Sequence, residues 1–398
     1  MGEQQKARKQ TSKQARGKAP AASQRGKQSP AGRPEARAPK GQRRAAPKVD
    51  EQAVLDFLMK VTGDAAAASG GIAVAIGDRL GLYAAMAGAG PVTAASLAER
   101  TGLVERYLQE WLAVQAGLGY ITYDPQEQTF TLPAEHAAVL ADEDSPTFLA
   151  GVFPVLRSIY GTEDGLVNAF RVGGGVGWDE HSDPLYRGTA RLFRPGYREN
   201  IVSSWLPALE GMVPRLKAGA RVADVGCGFG YSTIIMAKAF PKSTFTGIDF
   251  HGPSIEAAEK AAADAGVSER VSFEIAGGAN FRGSGFDLVT CFDCLHDMGD
   301  PAGVARQVRR ALAGDGTWML VEPAGSGTLE ENFHPIGRFF LAASLAVCLP
   351  SAMAQHGSQA LGNHAGEEAL RAAVQPAGFT RWRQVAQTPV NVVYEARP

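Results

Sequence analysis

Cysteine is scarce in this chain: Cys227, Cys291, Cys294 and Cys348 are the only four among 398 residues. Four scattered thiols exclude a disulfide-stapled scaffold and point to a reducing compartment, the cytoplasm. Cys291 and Cys294 form a C-x-x-C. Cys291 falls in an apolar strand pattern and no second ligand pair has metal spacing, so ordinary buried thiols and no metal are expected. Long apolar runs are also missing. The longest, Phe339 to Leu349, is too short to span a bilayer and reads as a buried helix. The N-terminus has charge but no apolar segment, so no secretory leader is expected. A soluble protein without a membrane partner is expected.

Net charge is nearly absent, −1 overall, but the total hides an asymmetry. Residues 1–48 carry fourteen Lys or Arg and two acids; the remainder carries twenty-six bases and thirty-nine acids. The basic segment lacks large apolar side chains, so it cannot offset its ordering entropy and is expected to be disordered. It also lacks aromatic residues to stack on bases. Nucleic acid is therefore not expected as a partner beyond non-specific phosphate contacts of this tail.

What is present is ample: 45% hydrophobic residues and length for two or three domains. Residues 49–140 read as a winged helix. A helix over Ala53–Val61 and another over Ile72–Leu82 precede a helix–turn–helix (Pro91 to Ala116) and two β-like runs, Tyr120–Tyr123 and Thr129–Leu132. Such a module binds DNA by its second helix, which here offers Glu105, Arg106, Gln109, Glu110 and Gln115. Two acids beside one base suit phosphate poorly, so a dimerisation module that also roofs a pocket is favoured. Residues 141–215 read as a helical connector and lid. Ala134–Tyr160 looks helical, Gly161–Asp183 looks like a loop, and Pro195-Gly196 leads into a helix, with Phe193, Arg194 and Tyr197 as candidate cover residues.

From Arg221 onward, within 216–398, strands and helices alternate. Strands are expected at Val222–Val225, Thr244–Ile248, Val271–Ile275, Phe286–Cys291 and Thr317–Val321. This is the pattern of an α/β parallel sheet covered on both faces. Phe379–Val385 and Val390–Glu395 are too close in sequence to be parallel and form a terminal antiparallel hairpin.

The first strand runs into Asp224-Val225-Gly226-Cys227-Gly228-Phe229-Gly230. Nicotinamide sites space their glycines as G-x-G-x-x-G; here the third glycine comes one residue early. Strand two ends in Asp249-Phe250, at the separation of a ribose-binding acid. Strand four leads into Phe292-Asp293-Cys294-Leu295-His296-Asp297, and strand five into Glu322-Pro323. The N-P-P-Y or D-P-P-Y tetrad of base amino-methylation is absent after strand four.

The D-x-G-x-G-x-G order, Asp249 and the strand plan resemble the class I S-adenosylmethionine (SAM) methyltransferases with an N-terminal winged helix, over roughly residues 50–398. The resemblance implies a Rossmann-like seven-stranded sheet, SAM as methyl donor, and a homodimer joined through N-terminal helices. It implies that Asp224, Gly226, Gly228 and Gly230 hold the donor's amino acid end, with Asp224 either orienting the loop or reaching the amine. Asp249 would hold the ribose, Phe250 would flank the adenine, backbone groups of Gly278 and Ala279 would reach the base, and Phe292 is a further candidate cofactor contact. Gly277 departs from the family, which often has Asp there. The His296-Asp297 pair resembles the step where small-molecule O-methyltransferases deprotonate a hydroxyl, with His296 as base and Asp297 orienting it. Tyr197, Glu322 and Phe339 are candidates to face a small, apolar or aromatic acceptor, in a wall built by 332–362. The competing expectation is a DNA-binding regulator that senses SAM without catalysis.

Overall fold

The computed structural model describes residues 48–355 and 359–398. The basic tail to residue 47, and His356 in the 332–362 stretch, lie outside the described residues. From Leu58 onward the chain forms one compact unit.

The first helix is a single run, Glu51–Arg79, where two separate helices were expected; it ends before Gly81, which adopts φ +69°. The helix–turn–helix follows as Ala94–Thr101 and Glu105–Gly117. Thr93 caps the first of these through Ser96 N–H, with Ser96 returning the bond, a reciprocal cap that fixes where the helix begins. The wing is β1 (Thr122–Asp124) paired antiparallel with β2 (Thr129–Thr131).

Two elements of the connector differ from expectation. The loop expected over Gly161–Asp183 contains a helix, Glu163–Val172. The next helix begins twelve residues before Pro195, at Asp183, and runs to Asn200 with Pro195 inside it, then passes into a wide turn of π geometry over Ile201–Trp205. Arg191 on this helix holds Asp78 through two 2.8 Å bonds and pairs with Glu143 at 2.6 Å. That bidentate clamp fastens the helix to the winged-helix region.

The main sheet contains β3 (Arg221–Val225), β4 (Thr244–Asp249), β5 (Val271–Ile275), β6 (Phe286–Phe292), β7 (Leu312–Pro323), β8 (Arg381–Gln387) and β9 (Asn391–Arg397). Their order is β5-β4-β3-β6-β7-β9-β8, parallel from β5 to β7 and antiparallel through β9 and β8. The terminal hairpin lies one to two residues later than expected. Side chains alternate between two buried faces, as strands covered on both sides require. Val222, Leu288, Met319 and Val393 pack with Trp205 and Phe240 on one face. Val225, Val289, Trp318 and Leu320 pack with Val304, Val308 and Leu370 on the other.

The apolar run at Phe339–Leu349 lies within a continuous helical stretch, Pro335–Ala354, longer than the run itself suggested. Its twenty residues reach bilayer-crossing length and apolarity. It nevertheless carries a π turn at Ser344–Cys348 and buries Phe340, Val347 and Ala352 in the protein.

Candidate active site

The site forms at the carboxyl edge of the parallel strands, beside the point where the chain reverses direction across the sheet between β3 and β6. Asp224 is buried on β3. One oxygen accepts from Ser232 Oγ and Thr233 Oγ1, both at 2.6 Å, and the other from Thr290 Oγ1 at 2.8 Å. Burial raises its pKa, opposed by these three hydroxyls. Its donors come from the helix after the glycine turn and from β6. Asp224 therefore orients the loop and is spent; it does not reach into the cavity.

Gly226, Gly228 and Gly230 have φ of +75°, +50° and +72°. A Cβ on Gly226 would stand 2.6 Å from Cys294 Sγ, and one on Gly230 3.0 Å from the Phe273 ring. The turn needs glycine both for its left-handed backbone and for the neighbours packed against it. Gly226, Cys227 and Gly228 line the cavity.

Asp249 ends β4 on the cavity wall. It accepts from Gly228 N at 3.0 Å on one oxygen and from His251 N at 2.9 Å on the other. Burial raises its pKa, while these N–H donors pull it down. Each oxygen retains a lone pair, the pattern needed to accept from a vicinal diol. Phe250, 46% exposed, presents a ring beside it. Ala276, Gly277, Gly278 and Phe292 continue the wall. Ala279 is exposed and outside it, so the donor-contact expectation is corrected: the chain turns outward after Gly278, and Gly277 takes the place at the wall.

Facing the glycine turn across the same cavity are Trp178, Tyr186, Phe193 and Tyr197, with Ser351 and Gln355 from the helix after β7. Tyr197 is placed as expected, and its hydroxyl donates to Asp293 Oδ2 at 2.8 Å. Arg194 points elsewhere, pairing with Glu143 and Asp144. Trp178, Tyr186 and Asp293 were not singled out by the sequence. The first two sit in or beside the segment read as loop, and Asp293 carries no motif of its own.

Three expectations fail here. Glu322 is 2% exposed and does not face the cavity: it accepts from Leu295 N at 3.0 Å and pairs with His296 Nδ1 at 2.5 Å. Phe339 is half-buried against Phe340, away from the cavity wall, because its helix turns its neighbour inward instead. His296 is buried behind the wall, with Nε2 3.1 Å from Asp297 Oδ1. Burial alone lowers an imidazole pKa, but Asp297 and Glu322 overcome it and raise His296 well above the usual value. A ring already protonated between two carboxylates cannot take a proton. Asp297, by contrast, lines the cavity.

Residues 216–358 match the family described as methyltransferase domain, and residues 68–142 the Rv2258c-like winged HTH domain. A 27-O-demethylrifamycin SV methyltransferase of Amycolatopsis mediterranei is 33% identical over 169 residues, 40% of this chain and 57% of its own length. A ubiquinone biosynthesis O-methyltransferase of Paracidovorax citrulli is 35% identical over 132 residues, 32% of this chain and 52% of its own. The chain thus spans about half the length of these two curated relatives. Among solved structures, a mitomycin 7-O-methyltransferase superposes with TM-score 0.65 at 18% identity, covering 88% of this chain and 100% of that one. Human N-acetylserotonin methyltransferase in complex with SAM gives 0.62 at 16%, covering 89% and 99%. At these identities the structural likeness concerns the fold.

The chain carries a methyltransferase domain preceded by a winged HTH domain. The cavity has the glycine turn, Asp249 and Phe250 on one side and the aromatic residues Trp178, Tyr186, Phe193 and Tyr197 on the other. The residues present fit SAM. The turn excludes side chains where a ligand must approach the backbone, and Asp249 keeps acceptor capacity on the wall. The second helix of the winged helix exposes Glu105, Arg106 and Glu110, with Arg106 paired to Glu110. Gln115, expected on that surface, is fully buried and accepts from Tyr83 OH at 2.7 Å.

Proposed function

We propose that the protein transfers a methyl group from SAM to a hydroxyl oxygen of a small, apolar or aromatic acceptor. The carrying observation is one cavity with a ribose-competent carboxylate at one end and Trp178, Tyr186, Phe193 and Tyr197 facing the glycine turn. Aromatic rings bury a flat acceptor and hold it against the donor, so alignment supplies much of the rate. Bound SAM supplies an electrophilic methyl on a sulfonium. The chain's own part is to orient the acceptor and receive its proton.

Asp297 is one of three carboxylates at the wall and the one backed by His296, and we assign it the proton of the acceptor hydroxyl. His296, charged, holds Asp297 from behind, and Glu322 holds His296. His296 thus positions the base instead of serving as one. Asp297→Asn is expected to lower kcat by about a hundredfold, the usual scale for losing a general base, while leaving S-adenosylhomocysteine affinity within twofold. The assay is isotope-labelled SAM against a panel of hydroxylated aromatic compounds, with products read by mass spectrometry as O-methyl ethers. Transfer only to amines or carbon, or an undiminished Asp297→Asn rate, defeats the assignment.

The regulator reading is the weaker one, since the winged helix presents acids where phosphate contact needs bases. A dimerisation role suits it better. Leu58, Val61, Ile72 and Ile76 are exposed along the first helix at helical spacing, with Val54, Leu55, Phe57 and Met59 exposed beside them near its start. Apolar stripes of this kind mark association sites. The double variant Ile72→Asp, Ile76→Asp should halve the mass measured by light scattering; a wild-type monomer removes this part. The four cysteines are free thiols, in keeping with a cytoplasmic setting.

A further inference from the structure

Asp293 is the anomaly of the cavity. It follows β6 with φ +50°, one of two described non-glycine residues in the left-handed region. Such a backbone is disfavoured for a residue with a Cβ and persists where surrounding structure enforces it. Here the enforcement is visible. Asp293 N–H donates to Val321 O at 2.8 Å, Tyr197 OH donates to Oδ2 at 2.8 Å, and Asn391 Nδ2 donates to Oδ1 at 2.6 Å. Two neutral donors from separate elements aim this carboxyl at the cavity, whose wall it forms.

Its electrostatic position is unsatisfied. Among the described residues Asp293 makes no ion pair. Burial first, and Glu322 second, push its carboxyl up to about 8, against Tyr197, His296 and Asn391. A buried carboxylate without a cation is costly. The other acids nearby have partners: Asp224 three hydroxyls, Glu322 His296 and Leu295 N–H, Asp297 His296 Nε2, and Asp249 the N–H groups of Gly228 and His251.

We propose that Asp293 binds the α-ammonium group of the donor's methionine end, and that Tyr197 and Asn391 hold it there. This rests on the SAM reading above. The sheet order supplies the geometry. β4, β3 and β6 are neighbours, so Asp249 and Asp293 end strands two apart, about 10 Å at the usual strand spacing. A ligand gripped by its ribose at Asp249 and lying over Gly226–Gly228 brings its amino acid end to β6. The amine, excluded from Asp224, meets Asp293 instead. The inference explains why a polar group is placed between Phe292 and Cys294, and why it comes with dedicated donors.

The test is calorimetry of the full-length protein with three nucleosides. S-adenosylhomocysteine keeps both charged groups, its decarboxylated analogue keeps only the ammonium, and 5′-methylthioadenosine has neither. Asp293→Asn is expected to weaken the first two about ten- to hundredfold, on the scale of a lost charged hydrogen bond, and to leave the third within twofold. Tyr197→Phe should show the same ligand pattern at smaller size, and carries the test if Asp293→Asn fails to fold. Equal weakening of all three ligands means a structural role and overturns the proposal. So does unchanged binding of S-adenosylhomocysteine. If wild-type protein binds none of the three, the SAM reading itself has failed.

Discussion

Replacing Asp249 by alanine is expected to weaken S-adenosylhomocysteine binding by about a hundredfold, since two charge-assisted hydrogen bonds of about 1.5 kcal/mol each are lost. The carboxylate acts twice. Its inner lone pairs hold Gly228 N and His251 N at 3.0 and 2.9 Å. Its outer ones face the cavity, where the ribose hydroxyls would donate. Alanine removes the ribose contacts and also frees the glycine turn at Gly228. Asp249→Asn keeps one acceptor oxygen and should fall between. Calorimetry on folded protein reads both. Unchanged affinity in the alanine variant means that no diol is held at the end of β4, and the division of the cavity into donor and acceptor sides would have to be abandoned.

Glu322→Ala is expected to give the largest loss of stability. Glu322 is buried, and both its oxygens are in use, on Leu295 N and His296 Nδ1. Its removal leaves a buried imidazolium with Asp297 as its remaining carboxylate partner and a bare N–H. Breaking a buried pair from one side costs about 3–5 kcal/mol, and at about 2–4 °C per kcal/mol the melting temperature should fall by about 10 °C. The sign with pH is definite. His296 has its pKa raised in the folded state. Its contribution is fully present below about 6.5, the unfolded value, and is lost as pH rises through the raised one. Asp293, lifted to about 8, acts in the same direction, with its contribution lost as pH rises through that value. The wild-type melting temperature should therefore decline above pH 6.5, and the gap to Glu322→Ala should narrow. Thermal unfolding monitored by circular dichroism across pH 6 to 10 checks this. A variant as stable as wild type, or a gap independent of pH, contradicts the charged His296.

Both variants act on residues that stood out in the sequence, one lining the cavity as its place in the sheet implied and one turned away from it. Asp249 was readable because its task depends on topology alone: an acid at the end of the second strand sits beside the glycine turn in any doubly wound sheet. Glu322 and His296 were readable as chemistry-bearing residues at the correct edge. Their orientation was not, because a side chain at a strand end can turn inward or outward at the cost of one rotamer. Once Glu322 turns in and meets His296, the histidine is withdrawn from the cavity and charged. The connector was misread for a related reason. Pro195 looked like a helix start, yet it lies inside a helix that packs through Leu185, Tyr186 and Tyr197. Tertiary burial there outweighs the local penalty of proline.

The sequence by itself determined the strand alternation, the glycine turn, the carboxylate on the second strand and the winged helix before them. Each follows from local backbone chemistry or from a hydrophobic period that any fold of this chain must honour. Only the tertiary structure decided which acids remain free. Asp224, Asp249, Asp293, Asp297 and Glu322 are alike as letters. They differ because hydroxyls, backbone N–H groups, an imidazolium, or a tyrosine and an asparagine reach them, some from neighbouring residues and some from about a hundred positions away. A carboxylate's role is set by the donors around it, and those donors are brought together only by folding.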